Sequence, residues 1–141
     1  MTWNLRAIGP RALAASLALS GVLVGTAFAQ TPLHATLSGP GNGNGTASVT
    51  LDPGAGTVCY DLTVTLDPPA SAAHIHRGEA GANGPVVVPF ETPSTGSASG
   101  CAEGVDAALI SDIMANPSGF YVNVHNSAFP GGAIRGQLEA Q

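Results

Sequence analysis

From Val58 to Leu66 the chain alternates strictly. Val58, Tyr60, Leu62, Val64 and Leu66 are apolar or aromatic, and Cys59, Asp61, Thr63 and Thr65 stand between them. In extended backbone, residues two apart share a face, so this run has one face fit for a core and one fit for water. The same period sets Ala47, Val49 and Leu51 against Ser48, Thr50 and Asp52. DPGAG joins the two runs, with proline to preset a turn and glycines to accept positive φ, so it reads as a hairpin connection. A helix would scatter these apolar residues around its circumference. The chain must build sheet.

Further strands are expected at LHATLS, AAHIH, PVVVPF, GSASGC, FYVNVH and GGAIRGQLEA. One segment breaks the period: VDAALISDIMANP places Val105, Ala108, Leu109, Ile113 and Met114 at helical spacing and stops at Asn116 before Pro117. Residues 38–48, SGPGNGNGTAS, read as a flexible loop between strand patterns. Their glycines lack the strand-to-helix setting of a phosphate cradle. The expected class is all-β, antiparallel, with one short helix.

Residues 1–29 read as a secretory signal peptide. Arg6 and Arg11 precede an uncharged apolar run, and Ala27-Phe28-Ala29 supplies the small-x-small end, so cleavage is expected between Ala29 and Gln30. The apolar run is short for a membrane span, and no membrane anchor is expected after cleavage. The remaining residues, 30–141, amount to one domain in a secreted or periplasmic protein. They carry Arg77 and Arg135 against nine carboxylates, a formal charge of −7, and no lysine. Phosphate backbones and anionic headgroups would repel such a surface, which argues against nucleic acid and membrane partners. An extracellular protein or surface component fits better. Cys59 and Cys101 are the only cysteines, and in an oxidising compartment an even pair reads as a disulfide.

AAHIHRGEAGANGPVVVPF, followed by C-x-x-GVDAALISDIMANPSGFYVNVHNSAFPGGAIRGQL, resembles the chordin-type (CHRD) domain family from about Gly45 to Leu138. The resemblance is strongest at His-Ile-His with its glycine-rich corner and at Tyr-Val-Asn-Val-His through Gly-Ala-Ile-Arg-Gly-Gln. It implies an Ig-like or sandwich-type domain without an established activity. The chain departs from the family in the first loop, where PGNGNGTAS replaces an acidic, proline-containing stretch.

His74 and His76 share a strand face, as do Tyr121, Asn123 and His125 on another strand, and Arg135 and Gln137 on a third. Were these strands neighbours, the polar residues would gather on one surface. Three readings follow. His74, His76 and His125 could hold one Cu(II) or Zn(II) ion, since both favour imidazole. Asn123, Arg135, Gln137 and the histidines could instead form a polar network, with Arg135 clamping Glu79 or loop carbonyls. Arg135 or Arg77 could also anchor an anion or sugar in a groove. Copper,zinc superoxide dismutases are secreted β-sandwiches that also carry a His-x-His pair in a strand. They use six histidines and an aspartate for two metals, a set that four histidines cannot supply. No Gly-x-Ser-x-Gly elbow is present, and no catalytic residue or required cofactor is identified. The leading expectation is a non-catalytic binding or structural module, with a small metal-binding protein as the alternative.

Overall fold

The alternating run becomes β3 (Thr57–Thr65), paired with β2 (Asn44–Asp52) across the expected hairpin. The computed structural model of the chain describes residues 16–22 and 28–141. Leu33, Ala35 and Leu37 of β1 (Thr31–Ser38) face the core with Ala47, Val49 and Leu51 of β2 and Val58, Leu62 and Val64 of β3. At the turn, the Asp52 carboxylate accepts a hydrogen bond from the Ala55 amide at 2.9 Å, which closes the hairpin locally.

The remaining strands are β4 (Ala70–Arg77), β5 (Val86–Phe90), β6 (Ser97–Ala102), β7 (Phe120–Asn126), β8 (Ile134–Gln137) and the short β9 (Glu139–Ala140). They run in the order β5-β4-β7-β8-β1-β2-β3-β6, with β9 beside β1 and every pairing antiparallel. The halves β5-β4-β7-β8 and β1-β2-β3-β6 fold over one another as a sandwich rolled almost into a barrel, so that edge strands β5 and β6 approach. Tyr60 of β3 closes part of that seam. Its ring stacks on Phe90 of β5 at 4.1 Å, and its hydroxyl accepts from the Glu91 amide at 2.8 Å. The fold is thus the expected antiparallel all-β sandwich with one short helix and one disulfide. Cys59 and Cys101 are direct cross-strand partners in β3 and β6, and their bond tethers an edge strand.

The helix α1 spans Ala107–Ala115 and starts where the Asp106 side chain accepts from the Ala108 amide at 2.9 Å. Its buried residues are Ile110 and Ile113, with Leu109 and Met114 partly buried, while Ala108 is exposed. Four of the five expected residues, Val105, Leu109, Ile113 and Met114, thus pack against the core, and Ile110 takes the place expected of Ala108, whose single methyl offers less apolar surface. The loop expected over residues 38–48 is also shorter than the composition implied. β2 already begins at Asn44, and Gly41 of the connection donates to the Ala133 carbonyl at 2.9 Å.

Most of the expected signal peptide, including Arg6 and Arg11, lies outside the described residues. No helix among the described residues is long and apolar enough to cross a membrane.

Candidate metal centre on the outer face

β4, β7 and β8 are neighbours, and their registers bring the polar residues into rows. His74 pairs with Asn123, which pairs with Arg135, while His76 pairs with Tyr121, which pairs with Gln137. Alternation sends Ala73, Ile75, Val122, Val124 and Ile134 into the core. The histidine face is therefore the outer face of the sheet.

An outer face would normally be wet, yet Asn123 and Tyr121 are each 1% exposed and His76 is 8% exposed. Two glycine-rich loops, residues 78–85 and 127–132, fold over the face and are held there by its side chains. The Gln137 amide donates to the carbonyls of Gly78 at 3.0 Å and Ser118 at 2.7 Å. Arg135 donates to the Ala82 carbonyl at 3.1 Å and the Asn83 side-chain oxygen at 2.9 Å. Asn123 donates to the Gly131 carbonyl at 3.3 Å. The loops need glycine to come this close: a Cβ on Gly84 would collide with the Arg77 carbonyl, and one on Gly132, at φ +133°, with the Asn123 side chain.

Under this roof the three imidazoles converge. One ring nitrogen from each of His74, His76 and His125 lies within 4.8 Å of the others. Nδ1 of His76 lies 2.9 Å from the Gly84 carbonyl and Nδ1 of His125 lies 2.9 Å from the Pro130 carbonyl. A carbonyl can only accept, so both Nδ1 atoms carry the proton and both Nε2 atoms are free in the neutral rings. Nε2 of His76 is buried with no hydrogen-bond partner among the described residues. Nε2 of His125 faces Nδ1 of His74 at 3.3 Å, so in the neutral cluster His74 donates to it.

Burial lowers the His74 pKa from its ordinary value, and neighbouring His125 and His76 lower it further. His74 is thus disposed to stay neutral, the state in which imidazole binds metal. A tetrahedral ion with bonds of ~2.05 Å has donors about 3.3 Å apart. The His74–His125 pair already matches that spacing, and no pair has to close by more than about 1.5 Å. The ties from Nδ1–H of His76 and His125 to backbone carbonyls are the outer-shell arrangement that fixes the tautomer of a ligating histidine.

The other candidates fall elsewhere. His34 lies on β1, 3.5 Å from Glu139 of β9, apart from the cluster. Arg77 ion-pairs with Asp112 at 3.0 Å and lies over the Phe120 ring at 4.7 Å. Glu79 is exposed and does not meet Arg135. The loop turns its carbonyls and Asn83 toward the guanidinium instead, leaving the Glu79 carboxylate in water.

Two residues of the site carried too little sequence signal to be given their roles. The strand pattern places Tyr121 on the polar face without a partner, and in the structure its hydroxyl accepts from the Gly84 amide at 3.0 Å while its ring stacks on His76 at 5.0 Å. Asn126, fully buried at the end of β7, donates to the Pro68 carbonyl and accepts from the Phe129 amide, both at 2.9 Å. Its place at a strand end before Ser127 was the available clue, because asparagine there can replace missing ladder bonds.

No curated protein and no solved structure matches the chain. The family model of the CHRD domain matches residues 16–138, which span both halves of the sandwich and every residue of the histidine face. The chain belongs to the CHRD domain family.

Proposed function

We propose that this protein is an extracytoplasmic, non-catalytic CHRD module that binds one Zn(II) or Cu(II) ion through Nδ1 of His74, whose proton then moves to Nε2 of the same ring, and through Nε2 of His76 and His125. The observation that carries the reading is Nε2 of His76, buried, without a partner among the described residues, and aimed at two further imidazoles. A buried polar atom left unpaired costs about 1–3 kcal/mol, a cost that coordination would remove. The disulfide and the apolar leader support an oxidising, extracytoplasmic location.

Calorimetric titration of the purified protein with Zn(II) and Cu(II), beside His76→Ala, tests it. One equivalent bound by the wild type and lost in the variant is the expected result. A second reading, that the face serves only to brace its two loops, is favoured by the ties from His76, His125, Asn123, Arg135 and Gln137 to loop carbonyls. It predicts no metal uptake in either protein and a lower melting temperature in His76→Ala.

A further inference from the structure

Arg77 and Arg135 are the only basic side chains among the described residues besides the histidines. Arg77 is neutralised by Asp112. Arg135 meets only neutral oxygens, those of Ala82 and Asn83, and has no carboxylate partner among the described residues. In a domain with nine carboxylates, its one guanidinium without a counter-ion therefore lies on the histidine face. Arg135 lies 4.7 Å from the Tyr121 ring and His76 stacks on that ring at 5.0 Å, so the guanidinium stands about 10 Å from the His76 ring with Tyr121 between them.

Three imidazoles leave a four-coordinate ion one position short, and that position goes to water or an exogenous ligand. No carboxylate belongs to the cluster, so a divalent ion there keeps its full charge and adds to that of Arg135. His74 and His125 are both half-buried rather than sealed, which leaves an approach from solvent. Resting on the metal reading above, we infer that the fourth position takes a small monovalent anion, and that the unpaired charge of Arg135 favours that anion through space. The guanidinium acts through the ligand and does not bind the metal. It opposes the cation and favours the anion, so its removal has opposite signs on the two equilibria.

The experiment uses the purified protein loaded with one equivalent of Cu(II), titrated with sodium azide and followed by its azide-to-copper charge-transfer band. The expected result is one azide per copper, with affinity about tenfold lower in Arg135→Gln, the size of a unit-charge interaction at this range in a partly screened setting. Cu(II) affinity in that variant stays equal or rises. Arg135→Lys retains most of the azide affinity, since it keeps the charge, and guards against a variant weakened merely by a displaced loop. Copper bound with no azide band, or with equal azide affinity in wild type and Arg135→Gln, overturns the inference and leaves the metal site standing. A parallel fall of copper and azide affinity in Arg135→Gln overturns it too, by showing a structural role. Failure to take up copper overturns the metal reading and this inference with it.

Discussion

His76 and Tyr121 hold the same residue from two sides: the His76 imidazole donates to the carbonyl of Gly84, and the Tyr121 hydroxyl accepts from its amide. Their rings stack nearly parallel, 13° apart. The loop over the histidines is thus fixed at one peptide residue by one ligand candidate and its cross-strand neighbour.

Tyr121→Phe keeps the stack and deletes the hydroxyl. The Gly84 amide then loses its acceptor, so the variant is expected to lose about 1–2 kcal/mol of stability by urea unfolding. Because the Gly84 carbonyl orients His76, Zn(II) affinity should fall about tenfold, as for other outer-shell partners. Unchanged affinity would show that Gly84 does not set the ring.

His34→Ala should leave Zn(II) and Cu(II) stoichiometry untouched, because His34 faces Glu139 on another part of the sheet. His125→Ala should abolish stoichiometric uptake by removing one of three donors. Calorimetry on the pair separates the cluster from nonspecific histidine binding. Equal losses in both would reject the assignment.

The pH response of the chelator-treated protein follows from His74. In the unfolded chain it titrates near 6.5, and in the fold its pKa is lowered, chiefly by burial. Below about pH 6.5 the unfolded state binds more protons at this residue, so stability rises with pH there. Its contribution is complete above the unfolded value and is lost as the pH falls through 6.5 toward the folded value. Urea midpoints measured between about pH 5 and 8 should drop on the acid side, and His74→Asn should flatten that drop. The same slope in the variant would assign the effect to other groups.

Reducing the Cys59–Cys101 bond opens a loop with a sequence separation of 42. The chain-entropy relation puts the loss at about 4 kcal/mol. Cys59→Ser/Cys101→Ser should therefore unfold at markedly lower urea, with β6 amides exchanging first because, among the described residues, β6 is an edge strand paired with β3 alone. Hydrogen exchange with residue resolution checks the order. Uniform loss of protection would mean that the bond supports the whole sandwich equally.

The strands were legible because period-two alternation is a local signal that the sandwich respects: Val58, Leu62 and Val64 are buried where the pattern puts them. Much of the site was legible for the same reason, since i, i+2 spacing fixes which of His74, Ile75 and His76 share a face. What lay beyond the sequence was long-range. Nothing local states that Arg135 will meet Ala82 and Asn83 rather than Glu79, because that choice depends on how residues 78–85 turn over the sheet. The helix face was legible at Val105, Leu109, Ile113 and Met114, whereas the choice between Ala108 and Ile110 is made only by the packed core.

The histidines stand on the side of β4 and β7 opposite Ile75, Val122 and Val124. Adjacent residues in one strand therefore answer to different physical demands, one to the packed interior and the next to the roofed outer face. A substitution at 74, 76 or 125 touches none of the packing of Ile75, Val122 and Val124, and at 76 or 125 it also releases a loop carbonyl. CHRD domains built this way can diverge in chemistry while inheriting the same scaffold, and the presence or absence of this trio becomes a character to trace from one homologue to the next.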